Sequence, residues 1–124
     1  MDSLEISAAG LRVQRARMDV IAANLANVDV TSARTERQDG DLRHVPYRRR
    51  IARILEGANG LPTVKIVEDR SEFRAEHQPG HPHAAADGTV FFPNVNPMIE
   101  TVEMMAASRA YEANLTAAEV AKAM

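Results

Sequence analysis

Residues 96–124 read NPMIETVEMMAASRAYEANLTAAEVAKAM, and this stretch decides the fold. Asn96 is a good N-cap, and Pro97 suits the first helical position because its missing N–H would be unpaired there anyway. No Gly or Pro follows from Met98 to Met124. The pattern predicts one helix of roughly 27 residues, about 40 Å long. Val102, Ala106, Ala110, Ala113, Ala117, Val120 and Met124 follow spacings of three and four, and Met104, Tyr111 and Leu115 form a second apolar line. Two lines offer more apolar surface than one partner helix covers, so burial on more than one side is expected.

The other end mirrors this. Residues 2–27 read as a helix, capped by Asp2 or Ser3, with Glu5 at the capping-box position after Asp2. Leu4, Leu11, Met18 and Leu25 recur every seven residues, with Ile21 and Val28 joining that face later. Such a heptad row predicts a helical partner, although Ser7 and Gln14 weaken the early seam and Gly10 costs about 1 kcal/mol against Ala.

Between the helices the composition changes. All six prolines and five of the six glycines fall between residues 40 and 97. Tyr47–Glu56 and Thr63–Glu68 read as strands, Phe73 and Val90-Phe91-Phe92 as shorter extended pieces, and Pro79-Gly80 and Asp87-Gly88 as turns. Residues 29–46 read as a polar loop or mobile segment. The expected fold is mainly α with a small, irregular β-rich insert. Its terminal helices pair as an antiparallel coiled-coil-like hairpin. The divisions are an N-terminal helix at 1–28, the insert at 29–96 and a C-terminal helix at 97–124, all one structural unit.

Composition narrows the function. The chain has 124 residues, no cysteine, no tryptophan and a formal net charge of −2. Disulfides, Cys-ligated zinc and a thiol nucleophile are excluded, and bulk charge does not hold the chain on nucleic acid. Aromatics are 4% of residues against 45% hydrophobics, so the apolar content is small side chains and the private core is expected to be thin. No run is long enough for a membrane span. The first residues lack the basic start and apolar block of a secretory leader, so any route out of the cytoplasm is expected to be another one. His77, His81 and His83 sit in an extended Pro- and Gly-bearing stretch without helically spaced carboxylates, and no metal is assigned to them. The cluster Arg48, Arg49, Arg50 and Arg53 lacks a stacking platform or recognition helix beside it and is read as a solvated or subunit-contacting strand edge. No triad, phosphate loop or paired-carboxylate pattern is present, so no enzyme and no cofactor are expected.

Both ends resemble the bacterial flagellar axial proteins, the rod and hook family. The residues that carry the likeness are Leu11-Arg12-Val13-Gln14-Arg15-Ala16-Arg17-Met18-Asp19-Val20-Ile21-Ala22, then Asn24-Leu25-Ala26-Asn27-Val28, and Ala107-Ser108-Arg109-Ala110-Tyr111-Glu112-Ala113-Asn114. Pro46-Tyr47-Arg48-Arg49, Pro79-Gly80-His81-Pro82 and Pro93-Asn94-Val95-Asn96-Pro97 are similar to the middle of its short proximal-rod members. Ala23, Asp29-Val30, His83, Ala85 and Thr89 depart from the usual pattern.

The resemblance implies a structural subunit of the periplasmic rod that assembles helically with copies of itself and with other rod proteins. It further implies export by the flagellar type III apparatus without a cleaved signal, and torque transmission from motor to hook. On that footing, subunit contacts are expected on the first helix at Leu4, Leu11, Met18, Ile21, Leu25 and Val28. On the second they are expected at Val102, Met105, Tyr111, Leu115 and Val120. Arg15, Arg17, Glu103, Arg109 and Glu112 are the candidates for polar contacts that fix register. The alternatives are another short axial protein or a helical-hairpin adaptor for a single partner.

Overall fold

A computed structural model describes residues 2–124. Two long helices bracket six short strands: α1 Ser3–Ala26, β1 Arg34–Gln38, β2 Asp41–Val45, β3 Arg50–Glu56, β4 Pro62–Glu68, β5 Arg74–His77, β6 Thr89–Phe92 and α2 Pro97–Ala123. Local chemistry sets the helix starts. Asp2 Oδ1 accepts from the Glu5 N–H at 2.7 Å. Asn96 Oδ1 accepts from the N–H groups of Met98 and Ile99, with Pro97 in the first turn. Each cap satisfies donors that the helix itself leaves open.

The helices lie antiparallel along one seam. Arg17 Nη2 reaches Glu103 Oε2 at 2.7 Å, and Asn24 Nδ2 reaches Glu100 Oε2 at 3.3 Å. Towards the far end Gly10 faces Asn114, so closely that a Cβ on Gly10 would stand 2.5 Å from Asn114 Oδ1. Buried Ser7, Ile21, Asn24, Glu100 and Ala107 complete the seam. The seam is therefore partly polar, and where Gly10 meets Asn114 its close approach needs a residue without a side chain. The heptad row flanks it and is not fully covered: Leu4 is exposed, and Leu11, Met18 and Leu25 are only half-buried, with Met18 Sδ accepting from Ser108 Oγ of α2 at 3.8 Å.

The strands form three separate two-stranded antiparallel sheets, β1–β2, β3–β4 and β5–β6. This corrects the expected fold class. The chain is 41% helix and 26% strand, so it is not a mainly α protein with a small β insert. Most of the discrepancy lies in residues 29–46, read from sequence as a polar loop. There β1 and β2 pair in register from Arg34 opposite Val45 to Gln38 opposite Asp41. Asp39 and Gly40 make the turn with φ of 53° and 83°, the pair of left-handed residues that a tight hairpin requires. The hairpin carries no apolar alternation because β1 is exposed along its whole length and β2 over Asp41–Arg43. Periodicity reports burial, and here there is little to report.

The β3–β4 hairpin lies against α1. The core is thin: Ala9, Val13, Val20, Ile21, Tyr47, Val90 and Ala107 are its buried hydrophobic residues, and Glu100, Val90 and Asn24 are its largest fully buried side chains. Two of those three are polar.

Candidate assembly surfaces and the polar joint behind them

The polar pair belongs to a network where both helices meet the strands. Asn24 uses its whole amide: Oδ1 accepts from Tyr47 Oη at 2.7 Å and from the Arg50 N–H at 3.0 Å, while Nδ2 donates to the Arg50 carbonyl at 2.9 Å. Glu100 Oε1 accepts from Arg49 Nε at 2.5 Å, and Arg49 Nη1 also donates to Asp69 Oδ2 at 3.1 Å. Asn94 Oδ1 accepts from the Arg49 N–H, and Asn94 Nδ2 donates to the carbonyls of Asp69 and Ser71. Arg48 donates to the same two carbonyls and lies 4.1 Å over the Phe73 ring. Every buried side-chain nitrogen and oxygen among the described residues has a partner. Such a joint resists shear, because sliding any element would orphan a desolvated polar group.

Charge states follow from these contacts. The Ser71 backbone N–H, then the Arg49 guanidinium, hold the Asp69 carboxyl below its ordinary value. Burial alone would lower Arg49, but its hydrogen bonds to Glu100 and Asp69 outweigh that and raise it. Burial raises the Tyr47 phenol, against the opposing charge of Arg50.

The outer surface is different. Met98, Val102, Met105, Arg109, Glu112 and Thr116 recur at alternating spacings of four and three, and all six are exposed. At 3.6 residues per turn, Met105 lies about 160° around α2 from the seam residue Ala107. Met98 is 79% exposed, Val102 65% and Met105 53%. On the flank of the helix pair, Arg15, Met18, Asp19 and Ala22 of α1 and Met104 and Tyr111 of α2 line an open groove of about 390 Å³.

The imidazoles gather elsewhere. The His83 ring centre lies 4.3 Å from that of His44 and 5.3 Å from that of His81, both tilted, with Thr31 Oγ1 against His83 Nδ1 and Ser32 Oγ against His44 Nδ1. These contacts tie the base of the β1–β2 hairpin to the loop before β6. Among the described residues, no set of three or more His, Asp or Glu converges to hold a metal, and no helix is long and apolar enough to cross a membrane.

Comparison with known proteins decides the family. Residues 4–34 match the family described as flagella basal body rod protein, and residues 86–124 match the flagellar basal body rod FlgEFG protein C-terminal family. The flagellar basal-body rod protein FlgC of Bacillus subtilis is 39% identical, over 98% of this chain and 91% of that protein. Those of Agrobacterium fabrum, at 36% over 90% and 79%, and Salmonella typhimurium, at 32% over 100% and 91%, are also similar. The chain belongs to the FlgC family. It is a structural rod subunit of the flagellar basal body, as its FlgC relatives are flagellar basal-body rod proteins.

The structure separates the contact candidates into classes. Ile21 is buried within the chain, and Leu11, Met18, Leu25, Val28 and Tyr111 are half-buried. Leu4, Val102, Met105, Leu115 and Val120 are exposed. Arg17 and Glu103 engage each other inside one chain, whereas Arg15, Arg109 and Glu112 are exposed. The sequence reading overlooked Asn24, Glu100, Asp69 and Asn94 as structural centres. The available signal was slight, since Asn24 and Glu100 are two polar residues among many on both helices.

Proposed function

We propose that this FlgC-family chain is laid down helically with copies of itself and with other axial proteins. The resulting shaft carries torque from the motor towards the hook. Subunits reach it through the flagellar type III export apparatus without loss of a leader. The observation that carries the assembly reading is the exposed row along α2. Met98, Val102 and Met105 leave apolar surface in water on the side opposite the seam, and an unpartnered row of this kind marks an interaction surface. The polar joint supports the torque role, since it binds strands and helices into one body on which a load applied to either acts on both.

The test is complementation. A motile strain deleted for its own copy is supplied with the chain carrying Val102→Asp and Met105→Asp. Both positions are exposed, so the purified variant keeps its circular dichroism and its thermal midpoint. Expected is loss of swarming with normal expression and export. Full swarming by the double variant would refute the role given to this row.

A further inference from the structure

We infer that the flank groove between α1 and α2 is the socket for the outer α2 row of a second copy of this chain, in register set by two charge pairs. The inference rests on the assembly reading above and gives it a site and an occupant. The groove floor is apolar, from Met18, Ala22, Met104 and Tyr111, and its rim carries Arg15 and Asp19, four residues apart on α1. The outer row offers the complement in the same spacing class: Met105 is the apolar knob, followed by Arg109 and Glu112. With the incoming α2 antiparallel to α1, Met105 enters the groove, Arg109 meets Asp19 and Glu112 meets Arg15.

The four charges on these two surfaces have no ion-pair partner within the chain among the described residues. Among the described residues the ion pairs are Arg17–Glu103, Arg34–Glu36, Arg48–Glu68, Arg49–Asp69, Arg49–Glu100 and Arg74–Glu76. None uses Arg15, Asp19, Arg109 or Glu112, and all four are exposed. One rim therefore presents a cation and an anion, and the row presents an anion and a cation in the opposite order along an antiparallel helix. Rim charges of this kind set register and reject wrong partners more than they add affinity.

The geometry also dictates the kind of assembly. Socket and knob lie on different faces of one chain, so the contact is heterologous and leaves a free socket and a free knob after every addition. A self-complementary contact would close at a dimer; this one propagates into a ring or a helix.

The native chain has no cysteine, which makes cross-linking unambiguous. Two differently tagged full-length chains, one Ala22→Cys and one Met105→Cys, are produced together in cells building basal bodies and treated with a short bis-maleimide. The expected product is a dimer carrying both tags, several-fold more abundant than with Met105→Cys paired to Leu42→Cys on the β1–β2 hairpin. Asp19→Arg or Arg109→Asp alone should lower the yield, and mixing Asp19→Arg chains with Arg109→Asp chains should restore it. Rods that form without the two-tag dimer overturn the socket while leaving the assembly reading intact, as does a Met105 cross-link only to a different axial protein. Absence of the unsubstituted chain from rods overturns both.

Discussion

The carboxylate of Glu100, only 1% exposed, holds Arg49 Nε at 2.5 Å while the arginine side chain remains 23% exposed. A buried ion pair of this kind adds little net stability against an apolar substitute, but losing one member is expensive. Glu100→Ala strips Arg49 of one carboxylate and leaves it Asp69. The expected loss is about 3 kcal/mol, the lower end of the range for such a deletion. Glu100→Gln, which keeps an acceptor of the same shape, should lose less. Urea unfolding of the purified chain reads both, and an unchanged midpoint for Glu100→Ala would show that the joint does not hold the fold.

Gly10 and Asn114 should behave as one unit. Alanine at position 10 gains about 1 kcal/mol in helix propensity, but its Cβ meets Asn114 Oδ1 at 2.5 Å, and Asn114 is itself tied to the Ala110 carbonyl. Gly10→Ala alone should therefore give little of that gain. Combined with Asn114→Ala it should be more stable than the two singles predict, with a coupling of at least about 0.5 kcal/mol. Strict additivity in the double-mutant cycle would mean that the seam is looser than this.

Acid should loosen the joint through Asp69. Its carboxyl is held below the ordinary value of 3.8 by the Ser71 N–H first and Arg49 after it. A depressed folded-state value means that the unfolded chain takes up the proton first as pH falls. The stabilisation is thus full above the unfolded value and is lost as pH drops through the lower folded one. In thermal melts between pH 5 and pH 2, Asp69→Asn should be less stable at the upper end and show a shallower decline. Parallel curves for the two proteins would contradict this.

Truncations should separate folding from assembly. Val90 is fully buried, and Val90→Ala should cost the isolated chain roughly 1–3 kcal/mol. Leu115, 42% exposed, should cost the isolated chain less than about 1 kcal/mol when cut to Ala. If neighbours cover that position, swarming should nevertheless suffer with Leu115→Ala at matched expression. A leucine variant as unstable as the valine one would mean that Leu115 is buried at home rather than by partners.

These contrasts also show which signals the sequence carried. The helix starts were legible because capping is local: Asp2, Asn96 and Pro97 announce them by side-chain chemistry alone. The β3–β4 hairpin was legible from Ile51, Ile54, Val64 and Ile66. The β1–β2 hairpin was not, because its strands are solvated and only Asp39-Gly40 marks the turn. The polar part of the seam was less legible for a related reason. Heptad leucines dominate the pattern, yet the helices meet over Ser7, Gly10, Asn24 and Ala107, where small size and complete hydrogen bonding matter more than hydrophobicity. Long-range polar pairing such as Asn24 with Tyr47, or Arg49 with Glu100, leaves no period in a sequence.

Electron cryomicroscopy of basal bodies purified from cells that assemble this chain tests the central claim most directly, namely that the outer α2 row is an assembly surface. The account predicts rod density for the antiparallel α1–α2 pair with side chains of Met98, Val102 and Met105 covered by a neighbouring subunit. Density in which that row faces open solvent, with subunits joined only through their strands, would contradict it.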